Sequence, residues 1–202
     1  MLPGNVRDIV VARSSDHGAT WAAPERVHAD NWAIDACPHA GPSMQVDGSG
    51  RVHIAWWTGM EGAAGVYYAR STDGARTFST PIAMRTAESS SPSHVQLALN
   101  GEAEVLVAWD DGTVRTPRVL LRVSRDGGGT FGEATIVSDE SRAATFPVLA
   151  AGANTITVGW SEQAPATHAA AEASRMNMKD PSATMGLPAV GATRIVVRSG
   201  RI

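Results

Sequence analysis

Ser71-Thr72-Asp73-Gly74-Ala75-Arg76-Thr77-Phe78 decides the fold, because the chain contains it three times. Ser14-Ser15-Asp16-His17-Gly18-Ala19-Thr20-Trp21 and Ser124-Arg125-Asp126-Gly127-Gly128-Gly129-Thr130-Phe131 superimpose on it without gaps, and the shared pattern is S-x-D-x-x-x-T-[W/F]. Asp16 to Asp73 is 57 residues and Asp73 to Asp126 is 53. A fixed period of this size marks a repeated supersecondary unit, and it has room for four short strands with their turns.

The flanks repeat as well. Each motif follows a β-rich run: Ile9-Val10-Val11-Ala12-Arg13, Val66-Tyr67-Tyr68-Ala69-Arg70 and Val119-Leu120-Leu121-Arg122-Val123. A further run comes after it, as in Pro81-Ile82-Ala83-Met84 and Ala134-Thr135-Ile136-Val137. Upstream stands a hairpin pattern ending in tryptophan: Val52 to Trp56, Val105 to Trp109 and Ile156 to Trp160. Polar turns rich in Gly, Asn and Asp precede these, at Asp47 to Gly50, Asn100 to Glu102 and Ala151 to Asn154, and such residues supply the positive φ angles of tight hairpins. One repeat is therefore four antiparallel strands with the motif between the third and the fourth. This predicts an all-β chain of propeller blades over residues 1–202, with blade pieces at about 5–28, 42–85, 93–138 and 145–202.

The motif itself has a mechanical reading. A short aspartate accepts hydrogen bonds from backbone N–H groups of its own turn, and the nearby glycines tolerate left-handed geometry. The Trp or Phe that closes the motif is expected to bury its ring between neighbouring sheets. Ser14, Asp16, Gly18, Thr20, Trp21, Ser71, Asp73, Gly74, Thr77, Phe78, Ser124, Asp126, Gly127, Thr130 and Phe131 are thus structural candidates, since one carboxylate per turn is too few for calcium.

Composition narrows the partners. The chain has 202 residues, 43% of them hydrophobic and 18% charged, with a net charge of -3, which leaves no electrostatic footprint for nucleic acid. No apolar run approaches the roughly 18 to 20 residues of a membrane-spanning helix, so no membrane insertion is expected. Cys37 is the single cysteine, which excludes an intramolecular disulfide and a cysteine-clustered zinc site; it reads as a small buried hydrophobe. The first residues, Met1 to Val10, show no signal peptide as written. No metal and no cofactor is expected.

The repeated motif is that of the Asp-box, or BNR repeat, and the chain resembles bacterial sialidase-like proteins over nearly its whole length. Asp35-Ala36-Cys37-Pro38-His39-Ala40-Gly41-Pro42, followed by Val52 to Gly59, is also similar to secreted exo-alpha-sialidases. The resemblance implies a six-bladed β-propeller whose site lies at the central axis, on the side opposite the Asp-boxes. It further implies a glycan or glycoconjugate ligand, an exo-acting glycoside hydrolase activity for a full-length member, and an extracellular or periplasmic location. The family's Arg-Ile-Pro segment and its nucleophilic Tyr with a Glu partner have no match in this sequence, so the chain alone is expected to be inactive. The alternative reading is a non-catalytic propeller that binds glycans or proteins.

Counting strands gives about three to three and a half blades of the implied six. Ile195-Val196-Val197-Arg198-Ser199 aligns with Val10 to Ser14 and with Tyr67 to Ser71, which predicts that a fourth Asp-box begins at Ser199. Such a count predicts either a piece of a longer propeller or a half-propeller that associates with another copy of itself.

The expected site lies in two loop sets. Those entering each first strand hold Asp30, Asp35, His39, Glu88, His94, Asp139, Glu140 and Arg142; those from second to third strand hold Glu61, Asp110, Asp111, Arg115, Glu162 and Arg175. Planar guanidinium forks bind carboxylates in bidentate fashion, which makes Arg142 the candidate carboxylate binder. Asp35 is the candidate acid/base group for a transition state of oxocarbenium character. His39, His94, Glu61, Asp110 and Glu162 are the candidate ligand-binding residues, the two histidines also as possible partners of a metal or a sugar hydroxyl. Trp56 and Trp57 should face opposite ways on their strand, with core packing expected for both. The stretch 161–192 is long for a connection, with a short helix expected near His168 to Met176, and reads as a lid over the channel mouth, as disordered chain or as surface decoration.

Overall fold

The computed structural model describes residues 3–35, 39–86, 91–152, 155–163 and 193–201. Cys37, Glu88, Arg175 and the expected helix near His168 lie outside the described residues. All strand pairings are antiparallel. The first sheet pairs β1 (Val10–Val11) with β2 (Glu25–Arg26). The second runs in the order β3 (Ser43–Val46), β4 (Val52–Thr58), β5 (Gly65–Ser71), β6 (Ile82–Thr86). The third contains β7 (Val95–Asn100), β8 (Glu104–Asp111), β9 (Arg118–Ser124) and β10 (Thr135–Ile136), also in chain order. In the fourth, β11 (Ala143–Gly152), β12 (Thr155–Gln163) and β13 (Thr193–Arg201) follow one another.

The sheets stack face to face, and the alternation of side chains along a strand assigns each residue to one neighbour. Trp56, Ile54, Val52 and Ala69 pack with Val11 and Val27 of the first-sheet region. Their strand neighbours Trp57, Ala55, Val66 and Tyr68 pack the other way, against Val105, Val107, Trp109 and Leu120 of the third sheet. Leu106, Ala108 and Leu121 then meet Leu149 and Ile156 of the fourth. A second strand covered on both faces buries every residue, as β4 does over its whole length, so VHIAWWT reads as a continuous apolar run.

Each Asp-box closes the turn between third and fourth strands. In the third sheet Asp126 accepts hydrogen bonds at Oδ1 from the Ser124 hydroxyl (2.7 Å) and the N–H groups of Gly129 and Thr130 (both 2.9 Å), and at Oδ2 from the Thr130 hydroxyl (2.8 Å). Asp73 repeats this with Ser71, Arg76 and Thr77, and Asp16 with Ser14 and Thr20. The serine hydroxyl in turn accepts the N–H of Gly18, Ala75 or Gly128. Those bonds hold the carboxylates ionised: the Thr20 hydroxyl first, with the Thr20 N–H and Ser14, lowers Asp16 to about 2, and the bonds from Thr77 and Thr130 hold Asp73 and Asp126 well below the usual carboxylate range.

The closing aromatic packs backwards, onto the preceding sheet. Phe131 meets Tyr68 edge-on at 4.9 Å, and Phe78 joins the cluster around Val11 and Val27. Trp21 corrects the expectation that all three rings are buried: it is 65% exposed, because no sheet precedes the first one among the described residues.

The fourth sheet departs from the repeat. In the second and third sheets the tryptophan pairs with the residue four positions before the motif serine, Trp56 with Tyr67 and Trp109 with Leu120. Trp160 pairs instead with Val196, three before Ser199, and β13 runs on to Arg201 without the turn expected at Ser199. A slip of one residue turns every side chain over. Ile195 and Val197 therefore point outward, where the repeat would have placed them against the third sheet. In the other sheets a fourth strand and the Asp-box bonds hold the third strand in place; among the described residues β13 pairs with β12 alone.

One buried polar network lies within the second sheet and reaches the third where Arg51 Nη2 donates to the Glu102 carbonyl (2.6 Å). His53, fully buried, makes hydrogen bonds through Nδ1 with the Tyr68 hydroxyl (2.6 Å) and through Nε2 with Asp47 Oδ2 (3.2 Å), the oxygen that also accepts from Arg51 Nε (2.6 Å). Burial holds the imidazole below its ordinary value of 6.5, with Asp47 opposing. The unfolded chain then takes up a proton near that value while the folded chain does not, so stability falls as pH drops through 6.5. We expect the melting temperature to decline between pH 7 and pH 5, and His53→Gln to flatten that part of the profile. The Asp-box carboxylates, lowered in the folded state, add a second loss only below about pH 4. Melting curves across pH for the two proteins check both parts, and equal slopes between pH 7 and pH 5 would contradict the first.

Candidate functional site

At the end of the sheets away from the Asp-boxes, the second strands stop on buried acids. Trp109-Asp110-Asp111 closes β8 and Trp160-Ser161-Glu162 comes near the end of β12, so Asp111 and Glu162 occupy the same place in consecutive repeats, two residues after the tryptophan. Thr58 is their counterpart in β4. All three are at most 1% exposed.

Each acid holds arginines. Asp111 lies 3.1 Å from Arg85 Nη1 and 3.7 Å from Arg118 Nε, and Arg118 also reaches Glu140 at 3.4 Å. Glu162 Oε1 lies 2.7 Å from Arg142 Nε and 3.1 Å from Arg194 Nη2. A buried carboxylate needs such company, since an unpaired one would carry a desolvation cost of several kcal/mol. About a quarter of the side chains of Arg85, Arg118 and Arg142 stays accessible, and more than half of Arg194. The result is a row of four arginines along the rim, set by two buried acids.

Next to this row the innermost strands of the third and fourth sheets are tied by one carboxylate. Asp110 Oδ1 accepts the backbone N–H of His94 (2.6 Å), and Oδ2 meets His94 Nδ1 (2.9 Å) and accepts the backbone N–H of Phe146 (3.0 Å). Phe146 sits in the bulge between Thr145 and Val148 with φ +56, a left-handed conformation that is costly for a bulky residue. Its ring lies 4.2 Å from the His94 ring and is 57% exposed. The strained backbone thus fixes the Phe146 side chain beside the half-buried His94 ring.

Several sequence expectations are relocated by this geometry. Asp110, Asp111 and Glu162, assigned to loops, are strand residues and buried. Asp110 has both oxygens engaged by its neighbours and so acts on the rim through His94 and Phe146. Arg142 stands directly before β11 as expected, with its guanidinium already braced by Glu162. Asp35, His39 and Glu61 are exposed, and among the described residues no hydrogen bond or ion pair links any of them to Arg142 or His94. Phe146, Arg85, Arg118 and Arg194 were not singled out. The repeat offered a signal for the buried acids, an acidic residue two after the tryptophan in two successive copies; nothing local marks the arginines that converge on them.

Comparison with solved structures bears on the architecture. An alpha-L-arabinanase of Penicillium chrysogenum, solved with arabinobiose, superimposes with a TM-score of 0.58 at 13% identity over 95% of this chain and 54% of its own. The GH93 alpha-L-arabinofuranosidase of Fusarium graminearum gives 0.58 at 12% identity, over 94% and 54%. The chain has the fold of stacked β-propeller blades. It spans about half the length of the solved propellers it matches. A Hadza microbial sialidase gives a TM-score of 0.49 at 21% identity, over 76% of this chain and 35% of that one. No protein-family model and no curated protein matches the sequence. The structural neighbours of this propeller are glycan-active enzymes, sialidases and arabinanases among them.

Proposed function

We propose that the chain is the sugar-recognising part of a sialidase-type propeller, that its rim binds a carboxylated sugar, and that this chain alone binds without hydrolysing. The row of arginines braced by Asp111 and Glu162 carries the reading. Guanidinium groups whose direction is set by a buried partner lose little freedom on meeting a carboxylate, and the bidentate contact suits a planar anion. The Phe146 face beside His94 supplies an apolar surface for a sugar ring, and His94 a donor or acceptor for a hydroxyl.

The lack of turnover rests on the tyrosines. A retaining sialidase-type mechanism needs a nucleophile and an acid/base carboxyl near the reacting carbon. The chain has two tyrosines. The Tyr68 hydroxyl is buried between sheets against His53, with burial pushing its ionisation far above the ordinary value, and the Tyr67 hydroxyl donates to the Ala63 carbonyl (2.7 Å). Asp35 is the acid/base candidate that a full-length member of such a family would use.

Titration of sialyllactose and of neutral lactose into the chain, followed by NMR shifts or calorimetry, tests the proposal. We expect weak binding of the acidic sugar, at least tenfold weaker binding of lactose, and a comparable tenfold loss in Arg142→Ala with Arg142→Lys in between. A fluorogenic sialoside should release no fluorophore. Equal affinity for both sugars, or no change in Arg142→Ala, would remove the carboxylate reading, and steady turnover would remove the claim that the chain only binds.

A further inference from the structure

Arg118 and Arg142 belong to different buried acids, and one tight turn links their surroundings. Ser138-Asp139-Glu140-Ser141-Arg142 leaves the third sheet and enters the fourth. At its start the Ser138 hydroxyl accepts the Val119 N–H (3.0 Å), beside Arg118. In its middle Asp139 Oδ1 accepts the N–H (2.9 Å) and the hydroxyl (2.8 Å) of Ser141, and the Asp139 carbonyl accepts the Arg142 N–H (3.3 Å). An aspartate that bonds the backbone two residues on makes a tight turn of this kind. Just beyond its end the Ala144 N–H donates to the Pro117 carbonyl (2.8 Å), so both ends of the turn are fastened to the start of β9. Glu140 stands at the tip, its side chain 67% exposed, with Oε2 at 3.4 Å from Arg118 Nη1.

By direct ion pairs among the described residues, the two arginine sets differ in charge. Arg85 and Arg118 meet Asp111 and Glu140, two charges against two, and Arg85 also donates to the Thr113 hydroxyl. Arg142 and Arg194 share Glu162 alone, two charges against one. Asp139 lies near enough to Arg142 and Arg198 to feel their charge, but its Oδ1 is engaged by Ser141 and it forms no ion pair among the described residues. An anionic group therefore gains most at Arg142 and Arg194, whereas Arg118 carries a carboxylate already. An exposed pair such as Glu140 with Arg118 adds little to stability, because water competes for both partners and two long side chains lose freedom. Its consequence falls on what else can approach Arg118.

We infer that Glu140 is a specificity-determining residue: by occupying Arg118 it limits the rim to sugars with a single anionic group, seated on Arg142 and Arg194, and it repels a second anionic group on the adjoining sugar. The inference rests on the carboxylated-sugar reading and adds which acidic sugars are taken and which are turned away. A second carboxylate that reaches Arg118 must displace Glu140 and then lie beside it, since the turn keeps Glu140 tethered there. The lost pair and the repulsion of two like charges at contact distance in water together amount to roughly a tenfold penalty.

Calorimetric titration of sialyllactose, with one carboxylate, and of disialyllactose, with a second on the adjoining sialic acid, into wild type and Glu140→Gln tests this. Wild type should bind the two sugars within about threefold of each other. Glu140→Gln should bind disialyllactose about tenfold tighter than wild type does, and sialyllactose less than about threefold tighter. Glu133→Gln removes the same charge from an exposed position after the third sheet's Asp-box, and should leave both affinities unchanged. Adding Arg118→Gln to Glu140→Gln should abolish the gain, with folding of each variant checked by thermal melts. If neither sugar binds wild type or Glu140→Gln, the carboxylate reading itself fails and this inference with it. Where sialyllactose does bind, no gain for disialyllactose in Glu140→Gln, an equal gain for both sugars, or a gain matched by Glu133→Gln overturns the role of Glu140 and leaves that reading standing.

Discussion

Gly128→Ala is expected to destabilise the chain by about 3 kcal/mol, combining the cost of overpacking with that of a left-handed L-residue, and to lower the melting temperature by roughly 6 to 12 °C for a protein of this size. Gly128 has φ +81, and a Cβ there would lie 1.9 Å from the Tyr68 hydroxyl oxygen and 2.6 Å from Cζ. Positive φ alone does not demand glycine at this place. The corresponding residue of the second sheet's Asp-box is Ala75, with φ +62 and a buried side chain. What differs is the residue opposite. Ala75 packs in the cluster of Val11, which stands at the position Tyr68 holds one repeat later and is much smaller. Tyr68→Val should therefore recover part of the loss when added to Gly128→Ala, although alone it is destabilising because it leaves His53 without its hydroxyl partner. Denaturant melts of the four proteins give the coupling energy, expected at about 1 to 2 kcal/mol in the rescuing direction. Strict additivity would mean that Tyr68 is not what excludes a side chain at residue 128.

Asp110→Ala is the second change with a large expected effect. The carboxylate is 4% exposed and takes three bonds from two segments, so its removal leaves the buried N–H groups of His94 and Phe146 without acceptors. At about 1 to 3 kcal/mol for each of the two orphaned groups, a loss of about 2 to 6 kcal/mol follows. Phe146 would also be free to leave its left-handed conformation, moving the aromatic face at the rim. Asp110→Asn has nearly the same shape but one acceptor oxygen for two segments, and is expected to retain about half of the stability difference. Acidic-sugar binding should weaken in Asp110→Asn beyond what Phe146→Ala alone removes, since both His94 and Phe146 lose their anchor. Unfolding and titration of these three variants separate the effects. An unchanged melt in Asp110→Ala would show that Asp110 is not the tie between the innermost strands.

Much of this architecture was legible in the residues alone. The Asp-box is a local device: Asp, Ser and Thr within seven positions satisfy one another and the backbone of a single turn, so the same letters recur wherever the same turn does. The alternation of side chains along a strand is equally local, which is why Trp56 and Trp57 were placed on opposite faces and are both buried. Arg142 was legible as a rim residue because it directly precedes an innermost strand. Its ion pair with Glu162, 20 positions later, was not.

The sequence by itself determined that this chain is built of four-stranded antiparallel blades, where each turn closes, and which residues make those turns, because these depend on neighbours within a few positions. Only the tertiary structure decided what depends on a neighbouring blade: the exposure of Trp21, the one-residue slip of β13, the role of Asp110 as a tie between two strands, and the gathering of Arg85, Arg118, Arg142 and Arg194 on two buried acids. A repeated motif specifies its own turn over and over; it carries no record of which side chain will lie across from it after some fifty residues of chain have turned back on themselves.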